Sequence, residues 1–146
     1  MYLLDTNVLS DLNPDKPGPN QRVADWLRRN GDKCYLSAVT LTEVAYGIAW
    51  LRHKKATARA GRLAQWLDQI MRHHAARILP VDTDIALQAG LLLATARVAG
   101  VEPDTTDAWI GATAHVHGLE VLTFNMADFR PMGIACLNPA TDLPPD

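Results

Sequence analysis

No stretch of this chain approaches the ~18 consecutive apolar residues that a bilayer-spanning helix needs. The opening Met1-Tyr2-Leu3-Leu4 turns acidic at Asp5, too soon for an export signal. A cytoplasmic protein without membrane contact is therefore the expectation. Only two cysteines occur, Cys34 and Cys136, and neither belongs to a CxxC or metal-finger spacing. Both fall in expected strands, where buried, reduced thiols are the reading. His73-His74 and His115-Val116-His117 lack the i, i+4 spacing of a helical zinc pair. There is no GxGxxG, no GxxxxGK[ST] and no GxSxG, so dinucleotide binding, P-loop chemistry and a serine elbow have no support. Excess positive charge is missing too. The formal net charge is −2, so any nucleic-acid surface must be a local patch.

What remains is a chain of 146 residues, one domain's length, with 48% apolar residues, enough for a substantial core. Short apolar runs alternate with helical patterns. Strands are expected at Tyr2–Asp5, Cys34–Ser37, Arg77–Val81, Glu120–Thr123 and Ile134–Leu137. Helices are expected at Val8–Leu12, Asn20–Arg29, Thr40–His53, Ala56–His73, Thr83–Ala99 and Asp107–His117, the third and fourth forming a hairpin at Lys54-Lys55. Asn13 to Pro19, with three prolines and a glycine, reads as a plain loop. This alternation implies an α/β three-layer sandwich, a central parallel sheet of about five strands flanked by helices. The domain is expected to span residues 1–137, with a flexible tail over 138–146.

In such sheets, sites form outside the C-terminal strand ends. Acidic residues gather at those places. Asp5 ends the first strand, Glu43 starts the long helix after the second, Asp107 starts the helix before the fourth, and Asn125 and Asp128 follow the fourth. Each has a local alternative: an Asx-turn for Asp5, a Thr40-x-x-Glu43 capping box, an N-cap for Asp107, and a solvated turn for Asp128. Asp104 is a nearby competitor for the role of Asp107. Converging on one edge, the acids would form a pit of like charge, which a divalent cation relieves.

Together these pieces resemble the PIN-domain ribonucleases and, within them, the VapC toxins of type II toxin–antitoxin pairs. The resemblance rests on Leu3-Leu4-Asp5-Thr6-Asn7, Leu36-Ser37 with Glu43 and Gly47, Asp107-Ala108-Trp109-Ile110-Gly111-Ala112, His117-Gly118-Leu119, and Val121-Leu122-Thr123-Phe124-Asn125 with Asp128-Phe129. It covers the chain to about Leu137. It implies a PIN-like fold and an endoribonuclease dependent on Mg²⁺ or Mn²⁺, homodimeric and held inactive by a cognate antitoxin. Carried over by position, Asp5, Glu43 and Asp107 are the metal-site acids. The family's fourth acid is replaced here by Asn125, which leaves a neutral ligand or water-orienting group there, with Asp128 as the alternative. Gly111 stands where alanine is more usual.

Two rival classes can be stated. Phosphotransfer on Asp5 would need a second aspartate at position 7, where Asn7 stands, and a late lysine that is missing. A non-catalytic binding module of the same fold would account for the lost fourth acid. Trp26, Trp50, Trp66 and Trp109 lie at helical positions and read as core or interface anchors rather than a base-stacking platform. Tyr46, Trp50 and Trp66 mark the helical hairpin as the expected antitoxin groove. Seven of the fourteen basic residues lie between Arg52 and Arg77 against the single acid Asp68, either a solvated face or a phosphate-tracking surface.

Overall fold

The computed structural model describes residues 1–146. Five short strands, β1 (Tyr2–Leu4), β2 (Cys34–Ser37), β3 (Ile78–Leu79), β4 (Glu120–Leu122) and β5 (Cys136–Leu137), form one sheet in the order β3-β2-β1-β4-β5. All four pairings are parallel. Six helices cover it: α1 (Thr6–Leu9), α2 (Gln21–Arg29), α3 (Ala38–His53), α4 (Thr57–His73), α5 (Thr83–Val98) and α6 (Thr105–His117). No helix is long and apolar enough to cross a membrane.

The strands are short; the inner ones are largely buried and the edge strands β3 and β5 half-buried. Leu3 lies between Tyr35 and Val121 in register, and Leu4 pairs with Leu122. Successive side chains of a strand point to opposite faces, and the core divides accordingly. Leu4, Leu36 and Leu122 pack with Val8, Trp26, Val44 and Trp66 under α1 to α4. Leu3 and Val121 pack with Ile85, Leu92, Ile110 and Phe129 under α5 and α6. This explains the near-continuous apolar runs that mark the strands in the sequence.

Strand order reverses between β1 and β4. The crevice outside their C-terminal ends is the place where such a sheet takes a ligand, because the following loops diverge there. Helix starts are set by local chemistry. Asn20 accepts from the Val23 N–H at 3.2 Å, and Asp82 accepts from the Ile85 N–H at 3.0 Å. Gly118, at φ 63°, stops α6 in a left-handed turn. Helix α6 lies close against α5 and the segment before β5. A Cβ at Gly111 would sit 3.2 Å from Ile134 Cγ1 and 3.5 Å from Leu92 Cδ1, so glycine permits this approach.

Several expected boundaries shift. The cap of α5 is Asp82, β3 and β5 contract to two residues each, α3 begins at Ala38 rather than Thr40, α1 at Thr6 rather than Val8, and α6 at Thr105 rather than Asp107. Beyond β5, Leu143 packs against the first core cluster, and Asp146 accepts from Asn30 Nδ2 at 2.8 Å. Cys34 is buried and Cys136 half-buried, both as free thiols.

Candidate active site

Asp5 leaves β1 directly into the crevice and is 6% exposed. One carboxylate oxygen accepts from the Thr6 N–H at 2.7 Å, and the other from the Thr123 hydroxyl at 2.8 Å. Its local turn and a tertiary contact thus coexist. Thr123 Oγ1 in turn accepts from the Asn125 N–H at 3.0 Å and from Asn7 Nδ2 at 3.3 Å. Asn7 Oδ1 accepts from the Phe124 N–H at 3.2 Å. Both ends of the Asn7 carboxamide therefore clamp α1 to the loop after β4. That is a structural duty, and it leaves nothing at position 7 resembling the general acid a phosphotransfer site would require.

The capping box expected at Thr40 and Glu43 does not form. Ser37 caps α3 by accepting from the Val39 N–H at 3.2 Å, which puts Glu43 in the second turn. Freed from capping, Glu43 accepts a hydrogen bond from the Thr6 hydroxyl, the residue next to Asp5. Nor does Asp107 cap its helix. Asp104 does so, accepting from the Thr106 N–H at 2.7 Å, and Asp107 falls within the first turn with no hydrogen bond to constrain its carboxylate. Asp104 is thus the cap, and the Asp107 carboxylate is left without a capping duty. Asn125 Nδ2 donates to Asp128 at 2.6 Å, so these two form a pair on the loop after β4.

Electrostatics joins the acids. Burial first, then the charges of Asp5, Asp128, Asp104 and Glu43, push the Asp107 carboxyl up to about 7. Burial raises Asp5 as well, opposed by the Thr123 and Thr6 hydrogen bonds and reinforced by Asp128. Glu43 is raised by burial, opposed by Thr6, with Asp5 and Asp104 adding to the rise. Asp107 therefore feels all four neighbouring acids, whereas Asp5 is raised by Asp128 and Glu43 by Asp5 and Asp104. Acids from four separate chain segments, Asp5, Glu43, Asp104 with Asp107, and Asp128, contribute to one negative field around Asp107.

Whether these groups fit a metal follows from the donor set. No three His, Cys, Asp or Glu side chains form a ready-made cage. A Mg²⁺-like ion, however, keeps several waters and takes only one or two carboxylates directly. A set of carboxylate oxygens with raised pKa values suits such a hydrated ion, and its binding would relieve their repulsion.

One contact on the rim was not legible beforehand. Asp11, with its side chain 1% exposed, pairs with Lys16 and accepts from the Asn20 N–H at 3.2 Å. Lys16 Nζ also donates to the Asn7 carbonyl at 3.4 Å and lies 5.5 Å from the Phe124 ring centroid. The proline-rich loop is therefore pinned to α1 and the loop after β4, both of which carry site residues.

Comparison with known proteins follows the same lines. The PIN domain family matches residues 2–132. Toxin FitB of Neisseria gonorrhoeae is 38% identical over 144 residues, 97% of this chain and 100% of that protein. VapC ribonuclease Y4jK of Sinorhizobium fredii is 33% identical over 141 residues, 95% of this chain and 97% of its own length. Among solved structures, FitAcB from Neisseria gonorrhoeae superposes with a TM-score of 0.81 at 36% identity, covering 95% of this chain and 98% of that one. FitAB bound to the IR36 DNA fragment gives 0.78 at 36% identity, covering 96% of each chain.

Proposed function

The chain belongs to the PIN-domain family, and on that premise we propose that it is the toxin of a type II toxin–antitoxin pair, a cytoplasmic endoribonuclease that uses Mg²⁺, or Mn²⁺ in its place, to hydrolyse RNA phosphodiester bonds. The observation that carries this reading is the shared field of Asp5, Glu43 and Asp107 at the strand-order switch, with Asp107 raised to about 7. Acids half-buried or buried in one negative field point to a cation as their working partner.

Asp5 and Asp107 would hold the ion. A bound divalent metal supplies a more acidic water and offsets charge on the non-bridging phosphate oxygens. Thr123 and the Thr6 N–H fix both oxygens of Asp5, so its orientation is set before substrate arrives. Thr6 similarly holds Glu43, which supports a role for Glu43 in orienting or deprotonating the attacking water. Asn125, held by Asp128, presents a neutral amide where the family more often has an acid, and is assigned to water orientation.

Similarity to a protein named a toxin and to FitAcB and FitAB supports an antitoxin partner. A recess of about 360 Å³ between α2 and α4, lined by Leu12, Leu27, Trp66, Ile70 and His73, is our proposed seat for its apolar segment. Exposed Leu87, Leu91 and Val98 leave an apolar stripe along α5 that supports a homodimer.

The test is RNA cleavage by purified protein with and without Mg²⁺. Asp5→Ala is expected to abolish metal-dependent cleavage while circular dichroism stays native. An Asp5→Ala protein as active as the parent would remove the assignment.

A further inference from the structure

Of the four tryptophans, Trp26 and Trp66 are buried, whereas Trp50 is 45% exposed. Neighbouring Tyr46, on the previous turn of α3, is 67% exposed. Their rings stack, with centroids 6.4 Å apart and an interplanar angle of 10°. Trp50 in turn stacks on His53 at 5.2 Å and 20°. Lys54 places its ammonium 5.2 Å from the Trp50 ring centroid. Two large aromatic side chains, exposed and aligned with a third ring, are not explained by core packing.

The ladder's position on the helix gives it direction. At 3.6 residues per turn, Glu43, Tyr46, Trp50 and Lys54 fall in one sector of α3. The opposite sector carries Val44 and Ile48, which belong to the core, and Gly47 faces Leu63 of α4. The stripe thus starts at a carboxyl of the active site and runs roughly 16 Å along the helix, at 1.5 Å per residue. At its far end it meets exposed Arg52, Lys54, Lys55 and Arg59. A row of flat rings leading from a negative pit to a cationic patch matches what a single-stranded nucleic acid needs, bases on the rings and phosphates on the cations.

We propose that the Tyr46–Trp50–His53 ladder of α3, with the basic α3–α4 turn beyond it, is the track on which single-stranded RNA lies as it enters the active site. This deepens the nuclease reading and rests on it for the nature of the substrate. Charge complementarity favours RNA over a protein segment as occupant: between Arg52 and Arg77 seven basic residues face a single acid. For Trp50 this departs from the expectation of a core or interface anchor rather than a base-stacking platform.

The experiment measures binding separately from cleavage. A fluorescein-labelled, mixed-sequence single-stranded RNA of 15 nucleotides (~15, within the few-to-sixteen nucleotide range of such tracks) is titrated by anisotropy in EDTA, using protein carrying Asp5→Asn. Trp50→Ala and Tyr46→Ala are each expected to weaken binding roughly fivefold or more, and Trp50→Phe to retain most of it. In the otherwise wild-type protein, Trp50→Ala should raise KM and leave kcat within about twofold, the pattern of lost uniform binding. Because both side chains are exposed, native circular dichroism is expected for each variant. Unchanged RNA affinity in both alanine variants, with cleavage intact, would overturn the track and leave the nuclease reading standing. Trp50-dependent RNA binding in a protein that cleaves nothing would support the track while removing the nuclease. Loss of antitoxin binding in the alanine variants with RNA affinity unaltered would assign the ladder to the protein partner and overturn the proposal.

Discussion

The Thr123 hydroxyl donates to Asp5 at 2.8 Å, joining two residues 118 positions apart in the chain. The contact spans β1 and β4, whose pairing ends at Leu4 and Leu122 and is continued by the Asp5 N–H donating to the Leu122 carbonyl at 3.0 Å. The hydroxyl thus sits where the reversal of strand order opens the crevice, and it opposes the upward push of burial on the Asp5 carboxyl.

Replacing Thr123 by valine keeps the shape and removes this donor. The stability loss is expected to be about 1–3 kcal/mol, because a buried carboxyl loses its partner. Cleavage should fall on the order of tenfold to a hundredfold as Asp5 loses its fixed orientation. Urea unfolding and initial rates check the two parts; a variant with wild-type rates would show that Thr123 does not orient Asp5.

Asp107 makes stability depend on pH. Its folded pKa, about 7, lies above the ordinary 3.8, so the folded protein binds the extra proton in the intervening range. The stabilisation is complete below the ordinary value and is lost as pH rises through about 7. Metal-free protein is therefore expected to melt at lower temperature at pH 8 than at pH 5, with Asp107→Asn flattening the slope. Divalent metal should bind more weakly below about pH 7 and release protons on binding. Calorimetry in two buffers of different ionisation enthalpy reads that release, and identical apparent heats would contradict it.

Glu43 reaches the site through Thr6. Thr6→Val frees the carboxylate and is expected to lower kcat on the order of tenfold, with a stability change of about 1 kcal/mol. Glu43→Gln keeps an acceptor for the Thr6 hydroxyl but removes the base, so its rate should fall further than that of Thr6→Val. The reverse ranking would mean that Glu43 does not act as the base.

Lys16 neutralises a carboxylate that is almost completely enclosed. Lys16→Met should destabilise the fold by roughly 3–5 kcal/mol, because Asp11 would remain as an uncompensated buried charge. Adding Asp11→Asn should restore part of the loss. Equal losses in the single and double variants, measured by urea unfolding, would show that the two side chains are not coupled.

Much of the site was legible because strand ends and acids coincide in the sequence. Asp5, Glu43 and Asp107 could be named as candidates from their places at strand ends and helix starts, and the family resemblance then singled them out. The capping assignments could not. Ser37 and Thr40 both fit a helix start, as do Asp104 and Asp107, and propensity does not separate residues two or three positions apart. The choice between them came from where β2 ends and how α6 packs on α5. The Lys16–Asp11 pair was hidden by its setting in a proline-rich loop that has no periodicity to read.

The amino-acid order fixed which segments are strands, that the sheet is parallel and enclosed, and which acids face its carboxyl edge. These follow from side-chain period and from the short-range reach of turn and cap chemistry. Only the folded arrangement decided that Glu43 leans on Thr6, that Asp104 rather than Asp107 caps α6, and that Trp50 stands in solvent while Trp26 and Trp66 are enclosed. Burial and electrostatic coupling depend on what distant segments place alongside a residue, and no local pattern carries that information.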